Sequence, residues 1–267
     1  MKYNTNANIM PQLHWIDDTH LQINDVNFYL SIDSDELRSG SSKDDCFLLG
    51  KPKDMVEKAY KTGKLQKINK IFELGILQGG SVVLYDQMFS PEKIAAIDYN
   101  ISVPALDKYI EKFNKQNIVK PYFGVNQADR IAMTTILESE FPNKDIDLIV
   151  DDASHLYQET RKAFNICFPY LKAGGLYCIE DWAWAHWPGD YWQHPASDSF
   201  LHGRTSLSNL LIELFMLAAS RRDLIAEITV EHSVITVKKG DGKIPDLTPF
   251  NIGDHYLLRG KAFGAWL

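Results

Sequence analysis

The sequence predicts an α/β protein built on a doubly wound, mostly parallel sheet, with an antiparallel strand pair near its C-terminal end and a small N-terminal cap. Three observations predict it. Short apolar runs alternate with helical patterns across residues 70–180, the pattern of consecutive crossover units. Several of those runs end in acids: Glu73, Asp98, the pair Asp151-Asp152 and the pair Glu180-Asp181. Two alternating stretches, residues 225–230 and 233–239, then follow each other closely, as an antiparallel pair does.

The composition bounds the class. The chain has 267 residues, 45% of them hydrophobic and 24% charged, enough for a sizeable core in one or two domains. Its net charge of −7 argues against nucleic acid or an anionic membrane as the main partner, because both reward clustered Lys and Arg. Cys46, Cys167 and Cys178 have no metal-site spacing, and the last two sit in apolar runs. Buried thiols of that kind point to a reducing cytoplasm. Residues 1–12 hold no apolar signal core, and no apolar run approaches the roughly 20 residues of a membrane helix.

Residues 1–66 form the cap. Residues 14–32 mix aromatic and β-branched residues with Asp and Asn and read as short strands, with a hairpin among them. Residues 37–45 read as a polar loop, and 52–62 as a helix that Gly63 ends. Residues 67–267 form the main domain. A short buried strand at 71–74 leads through a loop, 75–81, into a helix reaching Phe89. A strand at 93–97 is closed by Asp98. A helix at 105–115, a strand at 118–123 and a helix at 129–140 come next.

The unit at 146–182 is the most informative. Its two strands flank a segment in which Leu156, Thr160, Ala163, Phe164, Cys167 and Leu171 share a helical face. The strands of such a crossover run parallel, and ligands bind outside their carboxyl ends. Asp151, Asp152, His155, Glu180 and Asp181 therefore gather at one rim, where repelling carboxylates require a cation, a proton or exposure to water. Residues 182–204 break the pattern, with Trp182, Trp184, Trp187, Tyr191 and Trp192 inside eleven residues. Pro188-Gly189 and His194-Pro195 exclude a continuous helix, so this is an aromatic loop at the same rim. Residues 206–219 form an apolar helix. The tail from Gly240 is irregular, with Phe250, Tyr256, Phe263 and Trp266 as packing anchors.

Two constellations carry chemistry. Gly75, Gly79 and Gly80 lie between a strand and a helix, where backbone can approach a ligand and helix N–H groups are free. The spacing fits neither the nicotinamide fingerprint nor the phosphate loop. Glu73 suits a cationic or hydroxyl-bearing ligand, and Asp98 stands where an acid can bind ribose hydroxyls. The plainer reading of both is a tight turn beside a solvated acid. The second constellation is the acidic rim with His155.

With these residues in hand, the chain resembles the class I S-adenosylmethionine-dependent methyltransferases. Within them it is similar to the metal-dependent sugar and macrolide O-methyltransferases grouped with rhamnosyl O-methyltransferase and cephalosporin hydroxylase. The carrying segments are ELGILQGGS (73–81), IDYN (97–100), VNQADR (125–130), DDASH (151–155) and IEDW (179–182). The resemblance covers about residues 68–237 and implies a Rossmann-like fold. It also implies roles. Glu73 and Gly75, with Gly79 and Ser81 in the same loop, hold the methionine end of S-adenosylmethionine. Asp98 holds its ribose, Gln127 or Asp129 its adenine, and Asp151 its amino group. Asp152, Glu180 and Asp181 bind Mg²⁺, and His155 is the general base. Hard carboxylate oxygens suit that ion, and a hydroxyl acidified by a cation can lose its proton to an imidazole near neutral pH.

The implied reaction is O-methylation of a hydroxyl, on a sugar or polyketide, in a small natural product. Trp182, Trp184, Trp187 and Tyr191 would line the acceptor side, since aromatic faces suit sugar and polyketide skeletons. Alternatives are a metal-dependent catechol or phenol O-methyltransferase, a non-catalytic S-adenosylmethionine-binding subunit, and a metal-dependent hydrolase. The expected partner is a small hydroxylated acceptor, with neither nucleic acid nor membrane, and a homo-oligomer stays open. Ser154 suits a helix cap. His186, His194 and His202 are alternative bases. Two positions depart from the family pattern: Leu77 replaces the middle glycine of the loop, and Ala153 replaces a glycine, which would strain a left-handed backbone there.

Overall fold

A computed structural model describes residues 10–40, 42–43, 45–245 and 248–264. Trp266, expected as a packing anchor, lies outside them. The chain divides into two compact units, Met1–Gly124 and Val125–Leu267.

The first unit opens with β1 (His14–Trp15), β2 (His20–Ile23) and β3 (Val26–Leu30), an antiparallel meander. Period-two alternation buries Leu21, Ile23, Val26, Phe28 and Leu30. Part of the stretch expected as a polar loop is helical. Asp33 caps α1 (Ser34–Ser39) by accepting from the backbone N–H groups of Asp35 and Glu36. The chain then enters β4 (Cys46–Leu49), which is parallel to β3. The next helix, α2 (Lys53–Leu65), runs past Gly63. That glycine does not end the helix. It makes room for Phe89, whose ring would lie 2.5 Å from a Cβ at this position.

Three parallel strands follow, β5 (Lys70–Leu74), β6 (Lys93–Asp98) and β7 (Val119–Phe123), joined through α3 (Gly80–Phe89) and α4 (Pro104–Lys112). Pro121 lies in β7, the outermost strand of its sheet, where a missing N–H is tolerated. Every residue of α3 is buried. Its Asp86 accepts from Tyr109 Oη and from Lys115 Nζ at 3.0 Å. Gln87 donates to Tyr109 Oη and accepts from Asn24 Nδ2 at 2.8 Å, which ties the β2–β3 turn to the helix layer.

The second unit begins with α5 (Arg130–Glu140), then β8 (Ile146–Asp151), α6 (Tyr157–Cys167) and β9 (Leu171–Glu180), with β9 parallel to β8. Leu171, expected on the α6 face, instead opens β9. Pro169 lacks the N–H a longer helix needs, so residues Phe168–Tyr170 close as a 3₁₀ turn. Lys239 Nζ caps this end, donating to the carbonyls of Phe168, Pro169 and Leu171 at 3.1, 3.3 and 2.5 Å. The short α7 (Asp190–Gln193) and the apolar α8 (Ser208–Ser220) lead to β10 (Ile225–Val230) and β11 (Val234–Lys239). β11 is antiparallel to both β9 and β10. Phe164 packs on Phe168 and Tyr177 at 4.8 and 5.0 Å, and Phe250 from the tail reaches Phe168 at 5.5 Å.

The strand order is β5-β6-β7 in the first unit, all parallel, and β10-β11-β9-β8 in the second, where β8 and β9 are parallel and β10 and β11 antiparallel. No helix among the described residues is long and apolar enough to cross a membrane.

Candidate active site

The carboxyl ends of β8 and β9 place the acids, as crossover topology requires. Asp152 follows β8, and Asp181 follows β9. His155 comes from the segment between β8 and α6. The His155 Nε2 atom lies 3.0 Å from Asp152 Oδ1 and 4.0 Å from Asp181 Oδ2. One ligand atom from each of the three residues falls within 4.8 Å of the other two. Burial draws the imidazole toward its neutral form, but the Asp152 hydrogen bond and the charges of Asp152, Asp181 and Asp151 outweigh it. The His155 pKa is therefore raised above the ordinary histidine value.

Two of the three members hold left-handed backbone without being glycine: His155 at φ 56° and Asp181 at φ 55°. Ala153, which a left-handed backbone would have strained, has no positive φ. The left-handed residue of the DDASH segment is the histidine itself.

Other expected site residues hold structural partners. Glu180, the last residue of β9, is 6% exposed and pairs in register with Val234. It lies outside the Asp152–His155–Asp181 group. Asp151 is 1% exposed and accepts from Tyr177 Oη at 3.1 Å and from Gln127 Nε2 at 3.3 Å. Burial is the largest influence on its pKa, which is pushed up to about 7. Gln127 is also engaged at its other end, because its Oε1 accepts from the Ser154 N–H at 2.9 Å. It thus latches the DDASH segment, a role that also involves Tyr177; neither function was visible as a motif. Asp129 caps α5 by accepting from the N–H groups of Ile131 and Ala132. Ser154 Oγ accepts from Leu156 N at 3.3 Å, just ahead of α6.

The aromatic loop meets the histidine. The Trp184 ring lies 4.3 Å from the His155 ring, centroid to centroid. Trp184 in turn contacts Trp192 at 5.3 Å and Trp187 at 6.4 Å, and Tyr191 packs on Trp192 at 4.8 Å. Phe200 and His232, not singled out in the sequence, join this group beside Trp184 and Trp187. Trp182 turns elsewhere, donating Nε1–H to the Glu231 carbonyl at 2.8 Å. Two of the alternative histidines are also engaged: His186 with Ser208 Oγ at 3.0 Å, and His202 with the Pro195 carbonyl at 3.1 Å.

In the first unit, the glycine loop is organised by Asp98. Its Oδ2 accepts from the N–H groups of Ile76 and Leu77 at 2.6 and 2.8 Å, and its Oδ1 from Asn100 N at 2.6 Å. Gly79, at φ 83°, is the cap of α3, and Leu77 takes a left-handed conformation at φ 48°. Gly80 makes its close approach to protein: a Cβ there would lie 2.1 Å from the Leu48 carbonyl oxygen. Ser42 Oγ donates to the Gln78 carbonyl at 2.7 Å, so the strand β4 region backs the loop. Glu73 is wholly buried in β5, and Ser81 is buried in the first turn of α3.

The strand order and crossovers are those of a Rossmann-like fold, and comparison with solved structures agrees on the fold. The MycE methyltransferase of the mycinamycin biosynthetic pathway, solved in complex with Mg and SAH, matches with a TM-score of 0.51. It is 24% identical over 72% of this chain and 51% of its own. No protein-family model matches the chain. Among curated proteins, it is similar to demethylmacrocin O-methyltransferase of Streptomyces fradiae, 46% identical over 43 residues, which is 16% of this chain and 11% of that protein. It is also similar to mycinamicin VI 2''-O-methyltransferase of Micromonospora griseorubida, 30% identical over 112 residues, 42% of this chain and 25% of that protein. The matches thus take in a quarter or less of these curated relatives and about half of the MycE chain.

Proposed function

We propose that this chain is an S-adenosylmethionine-dependent O-methyltransferase acting on a sugar or polyketide hydroxyl of a small natural product. The observation that carries the reading is the Asp152–His155–Asp181 group: two carboxylates and an imidazole converge at the sheet rim expected to hold ligands. The two carboxylates of this group are hard oxygen donors, which suit a divalent cation such as Mg²⁺. The similarity to sugar and macrolide O-methyltransferases supports the same reaction class.

Asp152 and Asp181 would hold the cation, with Glu180 as the neighbouring third carboxylate. When bound, such an ion lowers the pKa of a coordinated hydroxyl. His155, whose Nε2 faces both aspartates, would take the hydroxyl proton at its other ring nitrogen, Nδ1. Asp152 then steadies the imidazolium it faces. Trp184 packs its ring against the imidazole and would limit its contact with water. Trp184, Trp187 and Tyr191 wall the acceptor, with Trp182 at the edge of that wall. Trp187 Nε1 is buried without an acceptor among the described residues, which suits an oxygen of the incoming substrate. The cofactor supplies an electrophilic methyl group. Glu73, Gly75, Gly79 and Ser81 are assigned to its methionine end, Asp98 to its ribose, Gln127 or Asp129 to its adenine, and Asp151 to its amino group. Cys46, Cys167 and Cys178 form no disulfide among the described residues, which accords with a reducing cytoplasmic location.

Calorimetric titration with S-adenosylhomocysteine, with and without Mg²⁺, tests the cofactor assignment, and methyl transfer to a panel of glycosylated polyketides tests the acceptor. Micromolar binding and Mg²⁺-dependent turnover are expected. Absence of binding in both conditions overturns the reading.

A further inference from the structure

A second cleft, of about 500 Å³, opens on the unit Val125–Leu267. None of the three clustered site residues lines it. Its chemistry starts from Glu213, an acid on the apolar helix α8 that is 0% exposed. The carboxylate accepts from Tyr157 Oη, from Arg161 Nε at 2.8 and 3.0 Å, and from Tyr256 Oη at 3.2 Å. A buried carboxylate with this many donors holds the Arg161 side chain in one place.

Arg161 meets Glu213 through Nε. No second acid pairs with the outer Nη edge of the guanidinium among the described residues, and Arg161 lines the cleft. Gly253 lines it too. A Cβ on Gly253 would stand 3.0 Å from Arg161 Nη2, and this glycine has no positive φ. The missing side chain therefore leaves space at the guanidinium rather than relieving the backbone. Lys261, exposed and without an ion pair among the described residues, lines the same cleft. Tyr256 and Phe263 form an aromatic wall, their rings 6.3 Å apart and edge-on.

Glu213 neutralises one of the two cations, and Lys261 leaves a positive excess in a chain whose net charge is −7. The guanidinium lines the cleft with Nη2 toward Gly253, and its planar N–H donors match the geometry that carboxylates and phosphates accept. We infer that this cleft binds a small organic anion, a carboxylate or phosphate monoester on a flat apolar body, with Arg161 and Lys261 taking the anion and Tyr256 and Phe263 the body. Because Glu213 already orders the arginine, little side-chain freedom is lost on binding. The site stands independently of the methyltransferase reading.

The test titrates the full chain with benzoate and with phenyl phosphate by protein-observed NMR. Probes of this size should saturate one site per chain with affinity on the order of 1 mM. Replacing Arg161 would strand the buried Glu213 carboxylate, so the variants are Gly253→Ala and Lys261→Gln, both at the cleft surface. Lys261→Gln should weaken binding about tenfold, the scale of one lost charge-assisted hydrogen bond, and Gly253→Ala should weaken it about as much by crowding Arg161 Nη2, while S-adenosylhomocysteine binding stays at the unmodified level. Saturation by benzoate alone assigns the carboxylate class, and by phenyl phosphate alone the phosphate class. Failure of both probes to saturate overturns the inference, as would unchanged affinity in both variants.

Discussion

Replacing Gly80 with alanine separates two explanations of the glycine loop. If the glycine exists to let backbone approach a ligand, Gly80→Ala should weaken cofactor binding and leave folding intact. The structure points the other way. The added Cβ would lie 2.1 Å from the Leu48 oxygen and 2.9 Å from its carbonyl carbon. A carbon–oxygen contact settles near about 3.3 Å, so β4 must retreat by roughly 1 Å. β4 cannot do so freely, because it is hydrogen-bonded to β3, and Phe47, Leu48 and Leu49 are 2, 6 and 1% exposed. Overpacking against backbone belongs at the upper end of the usual range, about 3 kcal/mol. With a urea dependence of about 3 kcal/mol per molar, the midpoint should fall by about 1 M. Gly124→Ala is the internal standard. Its φ is 70° and nothing lies within 4 Å of an added Cβ, so it should lose only about 1 kcal/mol from backbone strain. A Gly80→Ala midpoint no lower than that of Gly124→Ala would refute the packing argument.

Three further outcomes follow from the site and the core. Asp152→Asn and Asp181→Asn should abolish Mg²⁺-dependent turnover while S-adenosylhomocysteine affinity is kept; full activity of the unmodified protein in excess chelator would remove the metal from the mechanism. His155→Ala should lower turnover by about 10²-fold or more, read as initial rates over a range of pH, and wild-type rates throughout would place the base elsewhere. Lys239→Met should destabilise by about 2 kcal/mol at neutral pH, three lost hydrogen bonds being partly offset by no longer burying an ammonium. Burial lowers the Lys239 pKa to about 8 from 10.5. The unfolded chain therefore binds more protons between those values, and stability should rise with pH across that window in the unmodified protein. Urea titrations at the two ends of the window, in both proteins, check this; equal slopes would sink the assignment.

The main sheet was legible because its strands are short apolar runs closed by acids, and topology then delivers Asp152 and Asp181 to one rim. Period alone could not show which neighbour a residue touches. Gly63 looks like a helix terminator until Phe89 is seen against it. Leu171 continues the helical face by spacing, yet Pro169 stops the helix first. Asp33 sits among residues that read as strand and loop, and only its accepted backbone hydrogen bonds reveal a helix start. At the site, the acids and the histidine were legible as types, but the Gln127 latch joins residues 24 and 27 positions apart, a separation no local pattern encodes.

The left-handed backbone at both His155 and Asp181 bears on how this protein tolerates mutation. Each such non-glycine residue costs roughly 1–2 kcal/mol, against a whole-chain stability of about 5–15 kcal/mol. Random substitution and selection for thermal tolerance would find relief at these two positions early, through asparagine or glycine. On the roles proposed for these residues, variants gained that way would be sturdier but impaired, so a stabilisation campaign that keeps the proposed site has to hold positions 155 and 181 constant and seek its gains elsewhere.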